Sequence, residues 1–211
     1  MSQINEKIKG FFGGQVPAVF SAMSSSPEYA GAQWAKYEAV LGNKGEVSRR
    51  DKELIGLGVA IAKPSSYMIK FQKERAKAAG ADDETINNAM RVAEFFEGAD
   101  AYAHTIRIDS DLRPRPLLSG DTSTLGKEDT INVPLVRQSD NPEVNKVWDE
   151  IKEAMGIPFI PNFFMAMAHQ PALMRTKWNS YKATMMTGGE PSRCTRELIA
   201  VAVSAVNACD Y

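Results

Sequence analysis

The sequence has little cysteine and little histidine, and it has no long apolar run. Two cysteines, Cys194 and Cys209, cannot build the disulfide framework of a small secreted domain. The first nine residues lack the apolar stretch of a signal peptide, and the most apolar run, residues 198–206, is too short to cross a bilayer. We therefore expect a soluble protein of the reducing cytoplasm.

An excess of charge of one sign is also missing. The chain carries 25 basic and 26 acidic residues, which gives a net charge of −1. This balance predicts no nucleic-acid partner and no anionic membrane partner. The two histidines, His104 and His169, are not spaced as ligands with either cysteine. We expect neither a metal site nor an organic cofactor.

Helical periodicity is what the sequence does have, and it predicts an all-α fold. Capping residues, prolines and apolar spacing predict helices over residues 27–41, 48–63, 65–79, 83–106 and 142–155. No segment keeps a two-residue alternation, so strands are not expected. Residues 108–140 are interrupted by Pro, Gly, Ser and Thr and are predicted to be a linker.

An internal repeat appears when the chain is shifted by 144 residues. Residues 17–67 then align with residues 161–211 without a gap, and 17 of the 51 aligned positions are identical. Such self-similarity predicts a duplicated helical unit. The predicted organisation is a first repeat over 1–107, a linker over 108–140 and a second repeat over 141–211.

In the second copy Glu197 stands on an apolar helix, twelve residues before Cys209. This segment resembles the carboxymuconolactone decarboxylase and alkylhydroperoxidase D-like family. The family pattern is a Glu on a buried helix and, twelve residues later, Cys-x-x-Cys-x-x-x-His at the start of the next helix. Glu197 and Cys209 have this spacing. The segment Pro-Asn-Phe-Phe at 161–164, with Pro171 and Trp178, is similar to the region upstream of the motif.

The resemblance implies a thiol-dependent peroxidase or related disulfide oxidoreductase that reduces hydroperoxides with an external dithiol. In the resembled peroxidases the second Cys attacks the peroxide and the first resolves the product, so Cys209 takes the resolving position. Glu197 is the candidate proton relay. Family members form trimers or hexamers, which implies a homo-oligomer. Cys209 and Glu197 are the predicted catalytic residues.

Structural roles compete with each of these assignments. A lone Cys209 is also compatible with a small buried apolar side chain, and Glu197 with an ion pair to Arg193. Glu53 and Tyr67 stand at the places of Glu197 and Tyr211 in the first copy, where Ser65, Met68 and Gln72 replace the Cys, Cys and His of the motif. The first copy is therefore predicted to be structural. Cys194 is fifteen residues from Cys209 on one apparent helix, too far for a disulfide.

Two other functions stay open. A lyase that decarboxylates a cyclic lactone acid would need a cation for the substrate carboxylate, with Arg193 and Arg196 as candidates by position only. A non-catalytic assembly protein is the third possibility. The sequence does not choose the substrate or the reductant.

The end of the printed sequence gives one further expectation. Tyr211 stands one position before the second Cys of the motif, so the chain as printed is expected to lack the attacking nucleophile and to be weakly active. A selenocysteine codon read as a stop would explain this end, and a selenol suits a position that needs an ionised nucleophile. A frameshift or a deliberate truncation is the alternative.

Overall fold

The computed structural model describes residues 2–42, 45–108, 111, 133–209 and 211. These residues form ten α-helices and one π-helical segment, and the described ranges contain no strand. In chain order the helices are α1 (Ser2–Phe11), α2 (Ala18–Ser21), α3 (Pro27–Leu41), α4 (Arg49–Ala62), α5 (Ser66–Ala78), α6 (Asp83–Ile106), α7 (Pro142–Met155), α8 (Asn162–Met167), α9 (Pro171–Tyr181), the π-segment (Lys182–Met186) and α10 (Arg193–Val206).

Side-chain caps fix where several helices begin. The Ser65 hydroxyl accepts from the amide of Met68 at the start of α5, and the Asp82 carboxylate accepts from the amide of Thr85 at the start of α6. These contacts satisfy amides that have no partner within the helix. Proline at the first position begins α3, α7 and α9, since its fixed backbone angle suits a first turn.

The predicted helices agree closely with these bounds, and the all-α prediction is confirmed. The bounds of α3, α6 and α7 are those that the sequence predicted, and α4 and α5 differ by one residue at each end. Much of the predicted linker, residues 109–110 and 112–132, lies outside the described residues. Residues 133–140 are described and contain no helix. No helix in the described part of the chain is long and apolar enough to span a membrane.

The chain divides into two compact units, one up to Glu53 and one from Leu54 onward. The first unit contains α1 to α3 and a small core of Ile8, Phe20 and Trp34. This division follows packing, whereas the predicted repeats follow sequence identity. The repeat boundaries therefore remain a prediction.

The second unit has two apolar clusters. One joins the end of α6 to α7, α8 and α9, with Trp148, Phe164 and Trp178 among its members. The other joins α4, α5 and α6 to the π-segment and α10, and includes Ile199 and Val203. Tyr181 packs against both clusters, so it lies where they meet.

Candidate active site

A cavity of about 530 Å³ lies in the second unit. Its walls come from α6, from the α7–α8 region, from α9 and from α10, and most of its lining is apolar or aromatic. The lining residues that carry polar side-chain groups are Asp100, Tyr181, Glu197, Ser204, Cys209 and Tyr211. A cavity of this size with a few polar groups is typical of a small-molecule site. Both predicted catalytic residues, Glu197 and Cys209, line it.

Helix α10 supplies one long wall of the cavity. Glu197, Ala200, Val201, Ser204 and Ala205 recur at spacings of three and four, so they share one face of the helix. The middle of this face carries mainly small side chains, which leaves a groove along the helix. Nine residues separate Glu197 from the end of α10, about 13 Å of helical rise. Glu197 and Cys209 therefore mark two ends of an elongated cavity.

Cys209 lies just beyond α10. Its amide donates to the carbonyl of Ser204 at 3.0 Å, and Ala208 before it adopts a left-handed conformation with φ of 52°. This turn is a common helix ending. It brings Cys209 against the cluster that contains Trp178. Cys194 lies at the other end of the same helix and is exposed, as expected for residues that do not form a disulfide with each other.

Glu197 is held by Arg193, one turn earlier on α10. The Arg193 Nε donates to Glu197 Oε1 at 2.7 Å, and its Nη2 donates to the Tyr181 hydroxyl at 3.3 Å. Burial, and then the nearby Glu197, raises the pKa of Tyr181, so the phenol stays protonated at neutral pH. This end of the cavity thus combines a carboxylate with a protonated phenol. The Glu197 side chain is 47% exposed, so this end is open to solvent.

Asp100 is a cavity residue that sequence reasoning missed. It lies on α6, is 6% exposed, and accepts from the Ser204 hydroxyl at 2.9 Å and from the Asn207 amide at 3.1 Å. Asn207 also donates to Glu97 at 2.9 Å. The sequence signal that could have identified Asp100 is an acidic residue on the apolar face of α6, between Phe96 and Ala103.

Tyr211 closes the cavity near Cys209. Its hydroxyl donates to Asp111 and accepts from the amide of Phe163 at 3.1 Å. Burial, and then the bond to Asp111, raises the pKa of Tyr211, which keeps the phenol neutral. The ring also contacts the Phe163 ring. These contacts give Tyr211 a packing role at this end of the cavity.

The arginines proposed for a lyase do not line the cavity. Arg196 is 2% exposed and donates to backbone carbonyls of the segment before α10, including Thr187 at 2.7 Å and Pro191 at 2.9 Å. Arg193 is engaged by Glu197 and Tyr181. Among the described residues that line the cavity, none is Lys, Arg or His. The cavity wall therefore offers an anionic substrate no positive side chain from this part of the chain.

Residues 27–110 match the model of the carboxymuconolactone decarboxylase family. The match covers α3 to α6, which lie within the predicted first repeat, whereas the thiol pattern that suggested the family lies in the predicted second repeat. Searches of curated proteins and of solved structures gave no match.

Proposed function

We propose that the cavity along α10 is the site of a thiol-dependent peroxidase that reduces organic hydroperoxides. One observation carries this proposal. Glu197 and Cys209, which the sequence pattern selected as the catalytic pair, line the same cavity. The match of residues 27–110 to the carboxymuconolactone decarboxylase family supports this choice of reaction class, because that family includes alkylhydroperoxidase D-like members.

The cavity suits an apolar substrate better than hydrogen peroxide. Its lining includes Phe95, Phe96, Phe163 and Phe164, and its volume of about 530 Å³ far exceeds the space of one small peroxide molecule. Apolar walls gain free energy when they cover an alkyl or aryl group. We therefore assign an organic hydroperoxide with a bulky apolar substituent as the substrate class.

The family resemblance gave Cys209 the resolving position, but Cys209 is the thiol that lines the cavity in the described chain, so we assign it the attacking role instead. The Cys209 thiolate attacks the terminal oxygen of the hydroperoxide, the O–O bond breaks and an S–O bond forms. The leaving alkoxide takes a proton and departs as the alcohol, and Cys209 becomes a sulfenic acid. One thiol of an external dithiol then displaces water to form a mixed disulfide. The second thiol of the reductant breaks that disulfide and restores the Cys209 thiol.

Glu197 has its role at the other end of the cavity. The separation along α10 is too large for its carboxylate to contact the Cys209 thiol directly. Its carboxylate and the Tyr181 phenol together can accept and donate hydrogen bonds. We assign them to exchanging protons with solvent and with substrate at the open end.

Hydroperoxide consumption with dithiothreitol as reductant tests the proposal. We expect slow consumption of cumene hydroperoxide that Cys209→Ser abolishes. The matched control is Cys194→Ser, because Cys194 is exposed and is not among the residues that line the cavity. Consumption that survives Cys209→Ser, or that falls equally in both variants, would overturn the assignment.

The lyase reaction is the alternative, and the same variants separate it. Decarboxylation of a lactone acid needs no thiol, so turnover of such a substrate would be insensitive to Cys209→Ser. The absence of Lys, Arg and His from the described cavity lining gives the substrate carboxylate no partner there. We therefore favour the peroxidase.

A further inference from the structure

The Cys209 end of the cavity contains a carboxylate that the motif does not include. Asp100 lines the same cavity as Cys209 and is 6% exposed. It comes from α6, whereas the two predicted catalytic residues belong to α10 and to the turn after it. Glu197 lies most of a helix length away from Cys209. Asp100 is the cavity-lining carboxylate that contacts the last turn of α10, next to Cys209.

Two hydrogen bonds connect Asp100 to the segment that positions Cys209. The Ser204 hydroxyl donates to Asp100 Oδ1 at 2.9 Å, and the Ser204 carbonyl accepts from the Cys209 amide at 3.0 Å. The Asn207 side chain, two residues before Cys209, donates to Asp100 Oδ2 at 3.1 Å. The carboxylate thus holds the last turn of α10 from the neighbouring helix.

The donors to this carboxylate are neutral. Among the described residues, the Ser204 hydroxyl and the Asn207 side-chain amide donate hydrogen bonds to Asp100. Burying a carboxylate with neutral donors costs free energy that an apolar residue would not cost. Its neighbours on the cavity face of α6 are Phe96, Ala99 and Ala103, so packing alone would favour an apolar side chain here.

We propose that Asp100 is the positioning residue that takes the proton of the Cys209 thiol through the Ser204 hydroxyl. The thiol proton passes to Ser204 Oγ as the Ser204 proton passes to Asp100, which becomes a neutral acid. In the peroxidase reaction the alkoxide recovers that proton and leaves as the alcohol. This inference rests on the proposed function for its use in turnover. The effect on thiol reactivity is independent of any hydroperoxide.

Other titratable groups face the same space. Besides Asp100, the titratable residues that line the cavity are Tyr181 at the end of α9, Glu197 on α10, and Cys209 and Tyr211 beyond it. Glu97 on α6 binds Asn207 and Asp111 binds Tyr211, and neither is among the lining residues. The lining residues of the α7–α8 region, which are Met155, Pro161, Phe163 and Phe164, do not titrate. Tyr181 and Tyr211 stay protonated, since burial raises the pKa of both.

Alkylation by iodoacetamide tests the proton path directly. The rate at Cys209 is measured by mass spectrometry from pH 5.5 to pH 8.5, with Cys194 in the same molecule as reference. We expect Asp100→Asn and Ser204→Ala each to slow Cys209 about tenfold at pH 6 and to approach the wild-type rate near pH 8.5, where the thiol ionises without help. Asp100→Glu should recover part of the loss. Glu97→Gln is the matched control, since Glu97 also binds Asn207 but is not among the residues that line the cavity.

Two results would overturn this inference. One is a Cys209 pH profile that is unchanged in both Asp100→Asn and Ser204→Ala. The other is an equal loss in Glu97→Gln, which would show that holding Asn207 is the whole effect. If Asp100→Asn does not fold, as its circular dichroism will report, Ser204→Ala decides alone. Hydroperoxide consumption that survives Cys209→Ser would instead overturn the proposed function and leave this proton path standing.

Discussion

Residues 17–53 and residues 161–197 use the same contacts at positions that are 144 residues apart. In both segments a Phe meets a Trp edge to face, at centroid distances of 5.7 and 5.8 Å, and the Trp stacks on a Tyr at 5.9 and 5.6 Å. In both an Arg at the start of a helix pairs with a Glu four residues later. The paired residues are Phe20, Trp34, Tyr37, Arg49 and Glu53 in the first segment and Phe164, Trp178, Tyr181, Arg193 and Glu197 in the second.

The two segments differ in what their equivalent residues face. Glu53 is fully buried, whereas the side chain of Glu197 is 47% exposed and lines the cavity. Helix α3 continues without interruption to Leu41, whereas α9 changes to the π-segment after Tyr181. Such π-helical turns are frequent at functional sites.

The two segments also lead to different residues at the position of the Cys209 thiol. Ser65 stands at the place of Cys209 and caps α5. The side chain of Gln72 fills the space over Gly56, where an added Cβ would lie 2.2 Å from its amide nitrogen. The equivalent of Gly56 is Ala200, which faces the open cavity. Equivalent positions are therefore filled by side chains in the first segment and line a cavity in the second.

The largest expected effect is the loss of the buried Trp. Trp178→Ala should lower the free energy of unfolding of the second unit by about 4 kcal/mol, because Trp178 is fully buried and its indole also donates to Glu150 at 3.0 Å. Trp34→Ala should cost about 3 kcal/mol in the first unit. Hydrogen exchange of α9 and α3 measures the two losses. A smaller loss of stability in Trp178→Ala than in Trp34→Ala would contradict the larger contribution expected of Trp178.

Replacing the equivalent glutamates Glu53 and Glu197 should lower the free energy of unfolding by different amounts, because the two side chains differ in burial. Glu53→Gln should cost about 3 kcal/mol, because it leaves the partly buried Arg49 guanidinium without its carboxylate. Glu197→Gln should cost less than about 1 kcal/mol, since solvent screens that pair. Urea unfolding followed by circular dichroism compares them. Equal losses would show that Glu53 and Glu197 contribute equally to stability, which would contradict the expected effect of burial.

The second segment also has a carboxylate from α7, Glu150, that binds Arg175 and Trp178, and this contact should make its stability depend on pH. Contacts with Arg175 first, and also with Lys182 and Trp178, lower the pKa of Glu150 from 4.5 to about 2. The stabilisation is therefore complete above pH 4.5 and is lost as the pH falls toward 2. Glu150→Gln should cost about 1–2 kcal/mol at pH 7, allowing for solvent screening, and no more than about 0.4 kcal/mol at pH 2, where the carboxylate is half protonated.

Melting curves from pH 2 to pH 7 check this dependence, with Glu6→Gln as control. Glu6 pairs with Lys9 on the surface, and its side chain is 71% exposed, so its replacement should leave stability unchanged at every pH. A loss in Glu150→Gln that does not vary with pH would contradict the assignment of the pKa shift to this carboxylate.

The equivalent positions Gly56 and Ala200 should respond differently to a larger side chain. Gly56→Ala should cost about 1–2 kcal/mol, since the new methyl displaces Gln72. Ala200→Leu should change stability by less than about 1 kcal/mol, because the added atoms enter the cavity. It should also slow oxidation of Cys209 by cumene hydroperoxide more than oxidation by hydrogen peroxide. A uniform slowing of both oxidants would argue against a size-selective cavity.

Local signals in the sequence were sufficient for the fold and for part of the site. Proline and capping residues set the bounds of α3, α6 and α7, because a first turn depends on nearby residues. The spacing of Glu197 and Cys209 selected two residues that line one cavity. Asp100 could not be found in this way, since α6 lies about a hundred residues before α10 and only tertiary packing brings Asp100 to Ser204. The π-segment was missed because its single irregular turn depends on the packing of Met185 and on the carbonyl contacts of Arg196.

Site-resolved oxidation tests the central proposal most directly, namely that the cavity along α10 is a hydroperoxide site at Cys209. The wild-type protein is treated with limiting cumene hydroperoxide in the presence of dimedone, and mass spectrometry measures the sulfenic acid adduct at each cysteine. We predict that Cys209, inside the cavity, is oxidised faster than the exposed Cys194, although exposure alone would favour Cys194. Faster oxidation of Cys194, or equal rates at the two cysteines, would contradict the account.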